Sequence, residues 1–446
     1  MKLGRPIGID LFAGAGGMSL GFEQAGFDVA AAVEIDPVHC AVHKFNFPRT
    51  PMIPRSVEGL SADEIRRAAG IGKSPVHCVF GGPPCQGFSL IGHRVLDDPR
   101  NKLVLEFVRI VSELGSKTFV FENVKGLTVG NHKAVLEELV EAFDLAGYAV
   151  RLPWSVLDSA MYGVPQHRER LILLGAQKGS PLPQYPFPST NPMGDQMSLT
   201  ALPFGPTCRE ALGDLPDVDC FPALLETDHT ETEAFEGLSS YAEEMRCIAR
   251  DAWHFGYRRR WNPSILTSSA RTIHTDISRR RFAETKPGEV EPISRFFKLP
   301  PNGLSNTLRA GTDGARGAFT SPRPIHYCHP RCITVREMAR LHGFPDWFRL
   351  HTTKWHGARQ IGNAVAPPLA RAIGRDVLSC LGMSPIRPRE LVALGDPALL
   401  IMEMSEAAEH FGVTAPSSRR DRKSGAKKRR QGDIEEARLG LAVMNG

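Results

Sequence analysis

The stretch Ile7-Gly8-Ile9-Asp10-Leu11-Phe12-Ala13-Gly14-Ala15-Gly16-Gly17 decides the fold of this chain. Its first half is apolar on successive residues, which is typical of a strand buried on both faces of a parallel sheet. Its second half is a glycine-rich turn, followed by a helical pattern through Leu20, Phe22 and Ala25. Glycines at such a turn let a ligand approach the backbone, and the helix start offers free N–H groups. The stretch therefore predicts a strand–turn–helix unit with a ligand site at the turn.

Similar apolar runs recur through the first 175 residues, with helical patterns between them. The runs are Val29–Val33, Val76–Phe80, Phe119–Phe121 and Leu171–Leu174, and the helical patterns include Leu103–Leu114 and His132–Ala146. Strands that alternate with helices predict an α/β fold, a doubly wound Rossmann-like sheet with right-handed crossovers. Ligands of such a sheet bind at the carboxyl ends of its strands.

The composition of the sequence changes near Pro181, after which proline, glycine and polar residues dominate. We expect a smaller, irregular domain there, and helical patterns return at Thr334–His342 and Pro368–Leu381. The four predicted segments are a sheet-containing domain at 1–180, a smaller irregular domain at 181–333, a returning helical segment at 334–385, and a C-terminal helix with a basic, disordered tail at 386–446.

Composition narrows the class of protein. No run of about 18 uncharged apolar residues exists, and a strand-like run already begins at Ile7, so we expect neither a membrane span nor a signal peptide. Nine cysteines, an odd number, suit a reducing cytoplasm. The net charge is +5, of which residues 419–430 supply +7 from eight basic and one acidic side chains. Binding to a polyanion is therefore open but not established by charge alone.

Three segments bring reactive side chains to the carboxyl edge of the predicted sheet. The strand Val76–Phe80 runs into Gly81-Gly82-Pro83-Pro84-Cys85-Gln86-Gly87-Phe88-Ser89, where two stiff prolines display a cysteine. Glu122 ends another strand, and Arg168 and Arg170 precede Leu171–Leu174. An exposed thiol that meets a carboxylate and arginines on one rim predicts a catalytic site.

A carboxylate follows the glycine turn at the spacing of a nucleotide-binding fold. Glu34 ends the second strand, 20 residues after Gly14, where it can bind ribose hydroxyls. These two features alone fit a nicotinamide enzyme nearly as well as a methyltransferase. The glycine turn and Glu34 by themselves therefore do not decide which cofactor binds.

Six segments together resemble the ordered motifs of the DNA cytosine methyltransferases that modify carbon 5, the family found in bacterial restriction–modification. The similarity covers roughly residues 7–382, in the order and spacing of the family. The segments are Asp10–Gly17, Gly82–Ser89, Glu122-Asn123-Val124, Gln166-His167-Arg168-Glu169-Arg170, Arg336–Pro345 and Gln360-Ile361-Gly362-Asn363-Ala364-Val365.

The resemblance assigns the chemistry to three residues. Carbon 5 of cytosine is a poor nucleophile, so a thiolate first adds to carbon 6, and Cys85 matches that residue. Glu122 matches the group that polarises ring nitrogen 3, for which it must hold or share a proton, and an apolar rim raises the pKa of such a carboxyl. Arg170 matches the residue that steadies the base and the carboxyl.

The resemblance also implies S-adenosyl-L-methionine as the cofactor. Phe12 is expected on the adenine, Gly14 and Gly16 at the backbone turn, Glu34 on the ribose, and Asn363 near the methionine end. One departure is visible, because a family aspartate that contacts the adenine amino group is replaced in the stretch Arg55-Ser56-Val57. Ser56 can accept a weaker hydrogen bond at that place.

Double-stranded DNA is the implied partner, and the target cytosine must be flipped out of the duplex to reach Cys85. The segment Gly87–Asn101 is expected to close over the site. The resemblance makes residues 1–180 the catalytic and cofactor-binding domain and residues 181–333 the recognition domain. The recognition domain would read the target, with phosphate contacts from Arg258-Arg259-Arg260 and Arg279-Arg280-Arg281. The DNA-binding residues that we expect from the family pattern are Gln86, Ser89, Arg168 and Thr307.

The remaining expectations concern partners and rival functions. We expect a cytoplasmic monomer without a membrane partner, and a cognate restriction endonuclease as a functional partner. No metal is expected, because His326, Cys328, His329 and Cys332 lack the second half of a zinc site. The rivals are a transfer-RNA cytosine-5 methyltransferase of the same fold, a nicotinamide oxidoreductase, and a catalytically dead DNA-binding protein. The oxidoreductase leaves Pro83-Pro84-Cys85 unexplained, and a dead protein is expected to have lost Cys85 or Glu122.

Overall fold

The computed structural model describes residues 4–84, 102–128, 133–192, 201–312 and 320–415 of the 446-residue chain. Several predicted features lie outside the described residues: Cys85, Gln86, Ser89, the segment Gly87–Asn101 and the basic stretch 419–430. Their roles stay predictions from the sequence. Among the described residues no helix is long and apolar enough to pass through a lipid bilayer.

An eight-stranded sheet forms the centre of the first 180 residues. Its order is β3-β2-β1-β4-β5-β8-β6, with β7 also paired to β8. The strands are β1 (Ile7–Leu11), β2 (Asp28–Val33), β3 (Met52–Ile53), β4 (Cys78–Gly81), β5 (Thr118–Val124), β6 (Tyr148–Val150), β7 (Ser155–Asp158) and β8 (Glu169–Gln177). The first five strands run parallel, whereas β8 runs antiparallel to β5, β6 and β7.

Helices cover both faces of this sheet and then continue through the rest of the chain. They are α1 (Gly17–Ala25), α2 (Pro37–Asn46), α3 (Ala62–Ala69), α4 (Lys102–Glu113), α5 (Lys133–Leu145), α6 (Cys208–Leu212), α7 (Ser240–Met245), α8 (Asp276–Glu284), α9 (Val335–Leu341), α10 (Lys354–Asn363), α11 (Pro367–Cys380) and α12 (Met404–Phe411). The predicted doubly wound α/β fold is confirmed.

The two faces of β5 explain why its sequence is apolar without alternation. Phe119 and Phe121 belong to a core with α4 and α5, whereas Val120 belongs to a core with α1 and α11. A strand between two helical layers has no face that water reaches, so each successive residue gains from being apolar.

The chain returns to the sheet through α11, which lies against α1. A Cβ atom added at Gly21 would lie 2.4 Å from Ala370 Cβ, so glycine lets the two helices approach closely. Residues more than 340 positions apart thereby share one core, and the end of α10, just before α11, is fixed near the carboxyl edge of the sheet.

Residues 201–312 and 320–353 are mostly irregular, with short helices and two small two-stranded sheets. Strand β9 (Thr230–Glu231) pairs antiparallel with β11 (Ile265–Leu266), and β10 (Arg258–Arg260) pairs parallel with β12 (Leu391–Ala393). A core around α9 holds this part together. Within it the fully buried Arg340 is paired with Asp214 and Asp346, which offsets the cost of burying its charge.

Candidate active site

A cavity of about 710 Å³ opens at the carboxyl edge of the sheet. Its walls come from the turn after β1, the start of α2, the ends of β4 and β5, the start of β8 and the end of α10. Predicted site residues that line it are Phe12, Gly14, Glu34, Glu122, Arg170 and Asn363, together with Pro83 and Pro84. The structure therefore brings these six predicted cofactor and catalytic residues to one cavity, whereas Gly16 does not line it.

The glycine turn has a backbone that only glycine adopts easily. Gly14 has a φ of +54° and Gly16 one of +105°. Phe12, which precedes the turn, also has a positive φ, of +61°. A Cβ atom at Gly16 would lie 2.5 Å from Phe47 Cε2, whereas one at Gly14 would meet nothing within 4 Å. Gly16 thus lets the turn pack on α2 and the segment after it, and Gly14 leaves the cavity side open.

The Glu34 carboxylate is fixed by three backbone N–H groups. Its Oε2 accepts from Gly14 N at 2.8 Å, and its Oε1 accepts from Ile35 N and Asp36 N at 2.9 Å. Ile35, which lines the cavity, is 59% exposed. A fixed carboxylate beside an open glycine turn and exposed apolar side chains fits the ribose and adenine of S-adenosylmethionine.

A buried polar triad lies beneath the turn, and sequence reasoning missed it. Ser19 Oγ donates to Asp10 Oδ2 at 2.6 Å and lies 3.0 Å from His43 Nε2. Burial raises the pKa of Asp10 to about 8 and lowers the pKa of His43 to about 3. Both groups therefore favour their neutral forms near pH 7. The signal in the sequence was a serine on an otherwise apolar helix face after an aspartate in a buried strand.

Glu122 and Arg170 meet at the catalytic rim because β5 and β8 are antiparallel neighbours. Arg170 Nε lies 2.8 Å from Glu122 Oε1. Burial raises the pKa of Glu122 above its ordinary value, although Arg170 and Arg168 oppose the shift. A Cβ atom at Gly82 would lie 2.4 Å from Glu122 Oε2, so the glycine lets the end of β4 lie directly against this carboxyl.

The two prolines before Cys85 are held in place from β5. Asn123 Nδ2 donates to the carbonyl oxygen of Pro83 at 2.9 Å, and Pro84 lines the cavity. Cys85 is the next residue along the chain and lies outside the described residues. Pro84, the last described residue before it, therefore lies at the cavity together with Glu122.

The phosphate contact predicted for Arg168 does not agree with the structure. Its side chain is buried, and the guanidinium donates to the carbonyl oxygens of Leu308, Gly362 and Ala364 at 3.2, 2.8 and 2.7 Å. We therefore correct the prediction: Arg168 joins the end of α10 to the segment around Leu308. The neighbouring Gln166, also buried, accepts from Leu308 N at 2.9 Å.

Thr307 and Ser56 occupy places that leave their expected contacts as predictions. Thr307 is exposed, and its hydroxyl donates to the carbonyl oxygen of His167 at 2.7 Å. Ser56 Oγ accepts from Glu58 N at 3.1 Å, and Ser56 is not among the described residues that line the cavity.

The arginine triplets divide between the surface and the interior. In β10, Arg259 is buried, donates to Glu23 Oε2 at 2.8 Å and lies over the ring of Trp347, whereas its neighbours Arg258 and Arg260 are exposed. This alternation follows from the period of a strand. The phosphate contact predicted for Arg259 is therefore wrong.

In α8 the second triplet is likewise divided. Arg279 donates to Asp219 Oδ2 at 2.9 Å, Arg281 lies 3.5 Å from Glu291, and Arg280 is exposed. The phosphate contacts of the exposed arginines of both triplets stay predictions.

The ligand atoms of His326, Cys328 and His329 lie within 4.8 Å of one another. His326 Nδ1 already accepts from Cys328 N at 3.1 Å and from His329 N at 3.2 Å. Because these bonds use the ring nitrogen lone pair, the arrangement has a structural explanation without an ion, and the expectation of no metal stays a prediction.

The sheet order, the open glycine turn and the carboxyl–arginine rim define an S-adenosylmethionine-dependent methyltransferase. Residues 8–379 match the family described as C-5 cytosine-specific DNA methylase. The chain belongs to this family. It is a DNA (cytosine-5-)-methyltransferase that uses S-adenosylmethionine as methyl donor.

Two curated relatives and one solved structure are similar over most of the chain. The Type II methyltransferase M.XorII of Xanthomonas oryzae pv. oryzae is 56% identical over 411 residues, which cover 92% of this chain and 93% of the relative. The Type II methyltransferase M1.HphI of Haemophilus parahaemolyticus is 34% identical, with coverage of 83% and 86%. A structure described as a prophage-encoded DNA modification methyltransferase from E. coli is 32% identical, with a TM-score of 0.65 and coverage of 84% and 99%.

Proposed function

We propose that this methyltransferase is the modification enzyme of a restriction–modification system, and that Cys85, Glu122 and Arg170 carry its chemistry. The observation that supports the catalytic assignment most is the 2.8 Å contact between Arg170 and Glu122 on the rim that Pro84 also lines. The restriction–modification context draws on the two relatives that are named Type II methyltransferases.

In the proposed mechanism the Cys85 thiolate adds to carbon 6 of a flipped-out cytosine, forming a C–S bond. Protonated Glu122 donates to ring nitrogen 3, which takes up the electron density displaced by the addition. Arg170 holds the Glu122 carboxyl in place and keeps it directed at the ring. Carbon 5 then carries the nucleophilic electron pair, and bound S-adenosylmethionine supplies the methyl group. A water molecule then takes the proton from carbon 5, the double bond between carbons 5 and 6 re-forms, and the C–S bond breaks to release Cys85 as a thiolate. Nitrogen 3 returns its proton to Glu122, so both groups regain their starting forms.

The cofactor-binding assignment follows the walls of the cavity. Phe12 is proposed on the adenine, Glu34 on the ribose hydroxyls and Asn363 near the methionine end, and the turn of Gly14 and Gly16 lets the cofactor approach the backbone. The fixed Glu34 carboxylate supports this orientation, because its Oε2 accepts only one backbone hydrogen bond and can accept another.

The proposed substrate is double-stranded DNA, which the enzyme binds as a cytoplasmic monomer. Residues 181–333 are proposed to read the target sequence, while Gln86, Ser89 and Thr307 contact the DNA near the flipped base. A cognate restriction endonuclease would cleave the same sequence when it is unmethylated, without any need to bind this chain.

Bisulfite sequencing of DNA from cells that express the protein tests the substrate and the recognition sequence together. A single methylated cytosine context is expected, and methylation of transfer RNA without methylation of DNA would overturn the proposal in favour of the RNA rival. Cys85→Ser is expected to abolish transfer while S-adenosylhomocysteine affinity stays within about threefold, since the thiol does not hold the cofactor. DNA with 5-fluorocytosine at the target should trap the wild-type enzyme covalently, but not Cys85→Ser.

A further inference from the structure

The segment from Arg387 to Gly412, called here the C-terminal strap, continues beyond residue 379, where the family match ends. It follows α11 and forms β12, a short 3-10 turn at Pro397–Leu400, and α12. It therefore adds a described element to the methyltransferase fold, and its contacts show what the element does.

One side of the strap packs on α2, which forms a wall of the cofactor cavity. Leu399 and Leu400 are buried in a cluster with residues of α2 and with Ala15 of the glycine turn. Gly395 N donates to the carbonyl oxygen of Phe45 at 2.8 Å, and a Cβ atom at Gly395 would lie 2.8 Å from Phe45 Cα. Only glycine lets the strap approach the backbone of α2 this closely.

The same short stretch of the strap also holds the start of α10, which contributes to another wall of the cavity. Leu400 O accepts from Thr352 N at 3.0 Å, and Met402 O lies 3.2 Å from His351 Nε2. His356 Nε2, in the first turn of α10, lies 3.5 Å from Glu403. These contacts fix the amino-terminal end of the helix whose carboxyl-terminal end carries Asn363 into the cavity.

The first part of the strap is fixed to the irregular part of the chain and to the segment just after α2. Strand β12 pairs with β10, and Arg387 donates to Asp251 at 2.6 Å. Glu390 forms an ion pair with Arg49, just after α2. The strap is therefore attached at both ends, so that its central residues cannot shift without breaking contacts on several elements.

We infer that the C-terminal strap is a positioning element for the cofactor, and that Leu400 is its central residue. The side chain of Leu400 packs on α2 while its carbonyl oxygen binds the residues before α10, so one residue sets the separation of the two cavity walls. The inference rests on the assignment of this cavity to S-adenosylmethionine. It predicts that a shortened side chain at Leu400 loosens the cofactor site without touching the catalytic residues.

The test compares Leu400→Ala with Leu139→Ala in the full-length protein. Both remove the same atoms from buried positions, but Leu139 lies in α5 in a different core cluster. For Leu400→Ala the Kd of S-adenosylhomocysteine by calorimetry and the KM of S-adenosylmethionine should rise about tenfold, with kcat at saturation within about twofold. Leu139→Ala should lower the Tm comparably and leave that Kd within about twofold. Leu400→Met, of similar volume, should restore the affinity.

A Leu400→Ala enzyme that is folded and has the wild-type Kd overturns the inference, as does an equal rise in Kd for Leu139→Ala. If Leu400→Ala does not fold, the milder Leu400→Val is used, with an expected rise of about threefold and the same contradicting result. Wild-type protein that does not bind S-adenosylhomocysteine would overturn the cavity assignment itself, and with it the strap inference.

Discussion

Arg170 Nε lies 2.8 Å from Glu122 Oε1, and the two side chains are only 13% and 11% exposed. A carboxylate paired with an arginine usually has a lowered pKa, yet burial wins here and raises the pKa of Glu122. The arginine thus orients the carboxyl without fully stabilising its charge. This combination suits a group that must hold a proton and direct it at a ring nitrogen.

The first prediction is a descending alkaline limb in the rate of methyl transfer. Because the proposed mechanism needs the protonated form of Glu122, the single-turnover rate should fall as pH rises through its raised pKa, while the proposed need for a Cys85 thiolate has the opposite effect at low pH. Glu122→Gln keeps an N–H donor but cannot transfer a proton, so it should be slower by about 100-fold and lack the Glu122 limb. An unchanged alkaline limb in Glu122→Gln would show that another group titrates.

The second prediction concerns Asp10 and stability. Its pKa is about 8 in the folded protein and near 4 when unfolded, so between these values the folded state binds more protons. The contribution of Asp10 to the free energy of unfolding is therefore greatest below about pH 4. It decreases as pH rises towards 8, by up to about 1.4 kcal/mol per pH unit.

Asp10→Asn removes this dependence while keeping an acceptor for Ser19. As pH rises from 6.5 to 8, the free energy of unfolding of Asp10→Asn should increase relative to that of the wild type, as measured by urea unfolding. His43 is common to both proteins and largely cancels in the comparison. A difference in free energy of unfolding that does not change with pH would contradict the raised pKa.

Much of the fold follows from the sequence because burial on two faces leaves a clear apolar signal. The strands from Ile7 and Phe119 and the helices α4 and α5 were predicted to within a few residues. The direction of β8 was not, because a strand buried on both faces is apolar whether it runs parallel or antiparallel. The short strands β3, β6 and β7 hold too few residues for a period to be recognised.

The sequence predicted the site residues that a motif places at the end or start of a strand. It did not predict which long arginine side chains turn into the interior. Glu122, Arg170 and Glu34 end or begin strands at the cavity edge, so topology places them. Arg168 and Arg259 carry the same charge as surface arginines, and only tertiary contacts decide that they are buried. The contacts between the strap and α2 join residues over 300 positions apart, which no local pattern encodes.

The third prediction separates the two glycines of the turn. Gly16→Ala adds a Cβ atom 2.5 Å from Phe47, so it should cost about 3 kcal/mol or more of stability. Gly14→Ala meets no neighbour and should cost only about 1 kcal/mol from its positive φ. Its methyl group is nevertheless expected in the open cavity, so S-adenosylhomocysteine affinity should fall. Equal stability losses in urea unfolding would contradict the packing difference.

The fourth prediction concerns Arg168, whose guanidinium binds three backbone carbonyl groups. Arg168→Gln has a single NH2 group that cannot reach all three, so buried carbonyls lose their partners and stability should fall by about 2–4 kcal/mol. Because Arg168 is buried, the slope of log K against log salt should stay unchanged even though the substitution removes a charge. Arg258, which is exposed, serves as the matched control. Arg258→Ala should leave stability within about 0.5 kcal/mol of wild type. If Arg258 contacts a phosphate, the substitution should reduce the salt slope by about 1. A shallower salt slope for Arg168→Gln, with unchanged stability, would instead restore the phosphate contact that the sequence predicts.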